Sequence, residues 1–290
     1  MNCYSTLNEI KSFGHLNITG TSTDSTLLDS LEEGSRQVDR DTDRFFYIYE
    51  GTFYQDGGAN RLILDWDMQT ITALEVDTDG DGVYESTYTV DINSPTTSPD
   101  AFAYPAMGYP KTRLEANPYG SYGHFGAGIR KSVKITGTFG YGADWPASNT
   151  HTITTKVGAA LTSTDATLSA TASTASELSA GMTLRINSEQ IYINDAPTGS
   201  SCPITRAVNG TSAASATAST SIAVYDYPRA ISHAVLIFAM RHFKRRESAY
   251  ANVIGNPLTG EYTAYKRDDP DYLETVIKYR KPRRQWSVNG

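Results

Sequence analysis

Apolar residues in the first 45 positions recur at helical spacing. Thr6 with Glu9 three residues later has the form of a capping box, and Leu7, Ile10 and Phe13 then share one face of a short predicted helix that Gly14 ends. Asp24 is placed to cap a longer helix, in which Leu28, Leu31, Ser35, Val38, Thr42 and Phe45 form a stripe. Leu27 flanks that stripe. One heptad further on stands Gly34, a residue that weakens a helix by about 1 kcal/mol relative to Ala and points to close packing against a second helix. From Phe46 to about Tyr141 the period changes to two. Residues 61–64, 70–76 and 84–90 read as strands, residues 111–116 and 129–139 add two more, and the Gly/Pro/Tyr-rich stretch between these last two reads as a loop or hairpin arm.

Residues 151–224 change character, becoming dense in Ser, Thr and Ala with few charges. Short strands are predicted at 166–170, 183–186 and 190–193, and Asn209-Gly210 is a turn signal, so the segment reads as a small β module and not a linker. Helicity returns at Pro228, where a missing amide hydrogen costs nothing in the first turn, and Ile231, Ala234, Val235 and Phe238 carry an apolar stripe into Lys244-Arg245-Arg246. A last helix is predicted with Asp269 as cap and Pro270 in first position, burying Leu273, Val276 and Ile277 and stopping before Pro282. The pattern predicts an α+β protein: a helical bundle packed beside an antiparallel sheet, built from residues 1–150 and 225–290, with a small all-β domain, residues 151–224, inserted into it. As an insertion, that module is expected to fold alone and to be dispensable for the rest.

Composition narrows the class. A chain of 290 residues with 39% hydrophobic content is expected to be globular and two-domain, and no apolar run approaches the roughly 18 residues that span a bilayer. The opening MNCYSTLNEIKSFG lacks a basic stretch followed by an apolar core, so no secretory leader and a cytoplasmic site of synthesis are expected. Cys3 and Cys202 are then expected to stay reduced. The net charge of -7 argues against a generic nucleic-acid binder, yet residues 241–290 hold 11 of the 25 Lys and Arg. The last of these, Lys278, Arg280, Lys281, Arg283 and Arg284, follow one another without an acid and make a basic arm, with Trp286 as an aromatic anchor.

Candidate chemistry is sparse. Asp77-Thr78-Asp79-Gly80-Asp81-Gly82 resembles the opening of a calcium loop, in which alternating carboxylates converge on a hard cation. The twelfth position is Tyr88 instead of a bidentate Glu, and both flanks read as strands, so Asp77, Asp79 and Asp81 are expected to form a solvated hairpin turn and no metal or cofactor is expected. The five histidines show no metal spacing and no pairing with a nucleophile, and Gly123-His124-Phe125-Gly126-Ala127-Gly128 lacks the strand-to-helix setting of a dinucleotide loop. The chain is therefore expected not to be an enzyme. A calcium-dependent carbohydrate-binding or adhesive β-module protein is the alternative, with a polysaccharide-cleaving tail enzyme behind it.

The helical stretches carry a resemblance. Leu27-Leu28-Asp29-Ser30-Leu31-Glu32-Glu33, then Ser35-Arg36-Gln37-Val38-Asp39-Arg40 and Arg44-Phe45-Phe46-Tyr47, resemble the amino-terminal signature of phage head-to-tail connector (adaptor) proteins. Val133-Lys134-Ile135-Thr136-Gly137-Thr138-Phe139-Gly140-Tyr141 is similar to that family's central strand, and Pro228 takes the place of the Pro that opens its next helix. Ala230-Ile231, Ala234, Arg241, Lys244-Arg245-Arg246-Glu247-Ser248, Val253, Gly255, Asp269-Pro270-Asp271 and Tyr279-Arg280 follow in the family's order. Within the inserted segment, residues 181–191 and 205–211 are similar to a β module found on phage structural proteins, with Ala207 where a Gly is usual.

The resemblance implies a homo-oligomeric, dodecameric ring in the virion neck, assembled in the host cytoplasm. Its implied partners are the portal protein above, a tail or stopper protein below and double-stranded DNA passing through the lumen, with no membrane. It further implies that the carboxy-terminal arm, Arg280, Lys281, Arg283, Arg284 and Trp286, docks on the portal.

Overall fold

The computed structural model describes residues 2–15, 17–92, 97–142, 149–171, 177–247, 253–256, 261–264 and 269–281. The chain opens with α1 (Leu7–Ser12), a 3-10 turn (Phe13–His15) and α2 (Asp24–Thr42). Strands β1 (Tyr49–Gln55), β2 (Arg61–Val76), β3 (Ser86–Tyr88), β4 (Val90–Asp91), β5 (Ala101–Tyr104), β6 (Lys111–Ala116) and β7 (Val133–Phe139) follow. They make a seven-stranded sheet in the order β1-β7-β2-β6-β5-β4, with β3 alongside β2. Next come β8 (Thr150–Lys156), β9 (Thr167–Ser169), β10 (Thr183–Ile186), β11 (Glu189–Ile193), β12 (Ser201–Thr205) and β13 (Ser221–Tyr225), a six-stranded sheet in the order β8-β13-β10-β11-β12-β9. The chain closes with α3 (Arg229–Glu247), the two-stranded β14 (Val253–Asn256) and β15 (Glu261–Ala264), and α4 (Pro270–Tyr279).

This corrects the expected fold class. The protein is mostly β, with two sheets of seven and six strands and only 23% helix, and it is not a helical bundle beside a sheet. The reason lies in strand pairing that periodicity underestimates. Residues 61–64 and 70–76 are not two strands but one, β2, whose pairing with β6 shifts register between Ile63 and Met68, so that its two halves serve different neighbours. Strands β8, β12 and β13 lie in Thr- and Ser-rich sequence where apolar alternation is thin, and no strand was expected there. Their stability comes from ladders with better-patterned partners, β10 and β11 above all.

Local signals survive where they act through near neighbours. The Thr6 side chain accepts from the Glu9 amide, and the Glu9 carboxylate accepts from the Thr6 amide, completing the capping box. Asp269 caps α4 by accepting from the Asp271 and Tyr272 amides. At α2 the expectation is off by one residue: Thr23 is the cap, and Asp24 sits inside the first turn, ion-paired to Lys11. Gly34 faces α3, where an added Cβ would stand 3.2 Å from the Phe238 ring, so the glycine does permit a close helix crossing. Ala207 stands at φ 54°, the left-handed conformation that the usual glycine would adopt freely, and Asn209 and Gly210 follow at φ 56° and 84°.

Two hydrophobic clusters hold the molecule. One lies within the seven-stranded sheet, where Val133, Ile135 and Phe139 alternate inward along β7 and meet Leu74, Met68 and Leu114. The other is shared: Leu7, Ile10, Leu27, Leu31, Ile231 and Val235 from the helices are buried with Leu184, Ile191, Ile193 and Ile222 from the six-stranded sheet. Polar contacts sew the same seam. The Leu7 amide donates to the Ala180 carbonyl at 3.0 Å, and the Gln190 side-chain amide donates to the Ile48 carbonyl at 3.0 Å. Residues 151–224 thus supply one wall of the core instead of projecting from it. A strongly buried ion pair among their described residues is internal, with Arg206 bridging both Glu189 oxygens at 2.7 and 2.6 Å beneath the Ala207 turn.

At the junction of α2 with the amino-terminal segment, the Tyr4 hydroxyl donates to Asp39 at 2.6 Å and accepts from the Phe46 amide at 2.9 Å, while Arg36 lies 3.1 Å from the Asp39 carboxylate. Burial pushes the Asp39 carboxyl up to about 6, against the opposing pull of Arg36 and Tyr4. A carboxyl raised in the fold favours the folded state most below its unfolded value of about 4, and that contribution is lost as pH rises through about 6. Asn at position 39 keeps an acceptor for Tyr4 without the charge. Urea unfolding from pH 4 to 7 is therefore expected to show Asp39→Asn gaining about 2–3 kcal/mol relative to the wild type across that range. A difference that stays constant with pH would refute this role for Asp39.

Candidate docking groove and acidic loop

The best-organised polar site lies where α4 ends. Helix α4 leans on α2 through the Tyr272 hydroxyl, which donates to Asp41 at 2.7 Å, and the Lys281 amide then donates to the Thr42 carbonyl at 2.8 Å. The Lys281 ammonium turns inward, donating to the carbonyls of Leu64 at 3.2 Å and Asp65 at 2.8 Å, with the Asp67 carboxylate 3.8 Å away. Arg44 pairs with the other Asp67 oxygen at 3.1 Å and lies over the Tyr141 ring at 4.8 Å. Asp67 is nearly inaccessible, and burial raises its carboxyl above the usual range despite the opposing cations Arg44 and Lys281. Burial likewise lowers the Lys281 ammonium, with Asp67 pulling the other way. The cluster ties the end of α2, the bend of β2 and the exit of α4 into one knot.

Beside this knot runs an open groove of about 750 Å³. Its floor is aromatic: Trp66 stacks on Phe53 at 5.1 Å and leans on Phe45 at 5.4 Å. Its rim carries the exposed carboxylates of Asp43 and Asp65. Of the arm residues expected to dock, Arg280 is exposed at the cap of α4, whereas Lys281 serves as an internal anchor. Arg283, Arg284 and Trp286 lie outside the described residues. The groove residues Tyr54, Ile63 and Trp66 were invisible to sequence reading, because each sits in a strand whose ordinary alternation gives no sign that the outward face is apolar.

The acidic loop between β2 and β3 is tightly self-satisfied. Asp77 accepts from the Gly80 amide at 2.6 Å, the Gly82 amide at 2.9 Å and the Asp79 amide at 3.3 Å; Asp79 accepts from the Asp81 amide at 3.1 Å and Asp81 from the Val83 amide at 2.7 Å. Burial would raise the Asp77 carboxyl, but these amides outweigh it and hold it below the usual carboxylate range. The glycines take φ 86° at Gly80 and 90° at Gly82, which lets the amides turn inward. Ligand oxygens of Asp77, Asp79, Asp81 and Glu85 lie within 4.8 Å of one another, so among the described residues these four could hold a hard divalent cation. Glu85 is a member that sequence reading missed, since it was sought at the position of Tyr88; its carboxylate accepts from the Thr78 amide at 2.9 Å and from the Thr78 hydroxyl.

Among the described residues, the cysteines and the one His–carboxylate contact at a cleft rim are placed as follows. Cys3 and Cys202 are free and buried, and burial pushes both thiols up to about 11, far from the thiolate that a nucleophile requires. His151 pairs through Nδ1 with Asp226 at 2.8 Å on the rim of a wide cleft between α1, α3 and the end of β13, but both side chains are about half exposed. No helix among the described residues is long and apolar enough to cross a membrane. Comparison with known proteins finds no matching family model, no matching curated protein and no matching solved structure.

Proposed function

We propose that the chain is a non-enzymatic structural subunit of a tailed bacteriophage neck, a head-to-tail connector that assembles as a ring under the portal. The observation that carries this reading is the meeting of the two stretches with connector-like sequence. Residues 27–47 and 230–280 are separated in the chain by both large sheets, yet α2 packs on α3 and α4, and Arg246 reaches across to the Thr26 hydroxyl at 3.0 Å. A second feature agrees with an assembly role: on α4, Val276 and Tyr272 are buried, but Leu273 and Ile277, expected inside, are 40% and 70% exposed. Apolar side chains one turn apart on an outer helix face are suited to a protein neighbour. The net charge of -7 suits a ring past which DNA slides without adhering.

Electron microscopy of the purified chain with portal-bearing heads tests the reading. Closed rings at the portal are expected, and replacing Arg283, Arg284 and Trp286 with Ala should leave the fold intact while lowering head occupancy about tenfold. Absence of rings, or wild-type occupancy by the variant, would sink it. The acidic loop favours one second reading, calcium-dependent glycan binding. On the connector reading calcium leaves the melting temperature unchanged. A rise of several degrees with calcium, abolished by Asp79→Asn with Asp81→Asn and accompanied by calcium-dependent glycan retention, would favour the second reading instead.

A further inference from the structure

The turn between β5 and β6 presents an apolar tip that a buried cation holds in shape. Pro105, Ala106 and Met107 are exposed one after another, Met107 at 88%, and no charged residue stands between Asp100 and Lys111. Lys111 itself is fully inaccessible, and its ammonium donates to the carbonyls of Pro105 at 2.6 Å and Ala106 at 3.3 Å while lying 4.8 Å from the centre of the Tyr109 ring. Arg113 lies over the Tyr104 ring at 4.8 Å, where the turn begins, and Gly108 at φ 95° reverses the chain. Taking an ammonium out of water is costly, so a lysine placed here fixes the shape of the turn through the contacts that compensate it. It also draws two carbonyls of the tip inward, and covering the tip with another surface leaves both of them paired.

A cleft of about 1090 Å³ elsewhere on the chain has the converse chemistry. It lies between α1, α3 and the end of β13, no residue of the tip lines it, and Phe13, Met182 and Leu236 give it apolar walls. Of its charged groups, Glu9 accepts from the Ser5 hydroxyl at 2.6 Å and the Thr6 amide at 2.8 Å, and His151 pairs with Asp226 at 2.8 Å. Arg229 is exposed at the mouth and keeps its contact with water. An uncharged, apolar occupant suits such a site. We propose that the tip Pro105-Ala106-Met107 is a peg and that this cleft, on a second copy of the chain, is its socket. The Met107 thioether can fit an irregular wall and gains from an aromatic neighbour such as Phe13. Peg and socket at different places on one chain make a head-to-tail contact, which repeats from copy to copy and closes into a ring when its rotation allows. Three residues cover far less than the roughly 800 Å² per partner of a stable interface, so the peg sets register within a wider contact. The inference rests on the connector reading for the assembly of copies, and adds which surfaces meet.

Sedimentation velocity of the full chain over a concentration series is expected to show self-association that Met107→Asp weakens at least about tenfold and Met107→Leu retains. The position is exposed, so neither change disturbs the core. In Met107→Cys with Ala230→Cys, the second at an exposed position of the cleft, mild oxidation is expected to join copies through a 107–230 disulfide, identified by proteolysis and mass spectrometry. Cys3 and Cys202 are buried and should not compete. A chain that stays monomeric, association indifferent to Met107→Asp, or a 107–107 link in place of the 107–230 link would each overturn the proposal. Rings at the portal that form equally well with Met107→Asp would reject this contact and leave the connector reading standing. A 107–230 link in a chain that leaves heads bare would do the reverse.

Discussion

Splicing Gly142 to Tyr227 through a short linker, which removes the six-stranded sheet, is expected to abolish the cooperative fold of the remaining chain. As a sequence, residues 151–224 read as a dispensable insertion. In the structure they form the wall against which Leu7, Ile10, Leu27, Leu31, Ile231 and Val235 are buried. Exposing one such side chain forfeits about 1.5–3 kcal/mol, so uncovering several exceeds the roughly 5–15 kcal/mol of net stability typical of a domain. The deletion also strands the Leu7 amide and the amino-terminal segment, whose Asn2 side chain accepts from the Thr183 hydroxyl at 3.1 Å and whose Cys3 lies 3.2 Å from the Tyr192 hydroxyl. Far-UV circular dichroism with a thermal scan checks this. A cooperative melt with retained helical signal in the spliced chain would show that the helices and the seven-stranded sheet suffice.

Asp67→Ala is expected to cost about 3–5 kcal/mol, because it leaves two cations with little access to water and without their nearest counter-charge. The side chains of Arg44 and Lys281 are 10% and 12% exposed, and Asp67 is the carboxylate that both approach. Lys281→Met should cost less, since Arg44 still neutralises Asp67 and the methionine stem fills the same space. Urea unfolding of the two variants measures the difference. Equal losses, or a loss under about 1 kcal/mol for Asp67→Ala, would mean that the knot is solvated and does not hold α4 in place. The result also bears on the groove, whose wall Lys281 supplies and from which the basic arm departs.

Sequence alone determined the features that depend on residues three or four apart. The capping box at Thr6 and Glu9, the Asp269 cap of α4, the stripe of α3, the glycine at the α2–α3 crossing and the Asn209-Gly210 turn are all encoded by contacts within a turn or two of chain, whereas the α2 stripe was read one residue off, since Leu27 and not Leu28 is its buried member and Phe45 lies beyond the helix in the other cluster. It also brought out Asp77, Asp79 and Asp81 as a group, because alternate residues around glycines converge whatever the rest of the fold does. Tertiary structure decided the rest. That β2 is one strand shared between two neighbours, that Thr-rich segments are strands, and that the six-stranded sheet walls the helical core are outcomes of pairing between residues far apart, to which a local period is blind. Lys281 illustrates the limit most directly: in a run of basic residues it reads as a free docking charge, and only the approach of Asp67 and the Leu64 carbonyl, more than 200 positions earlier, turns it into an anchor. Charge in a sequence is a composition, but its partner is set by where the chain returns.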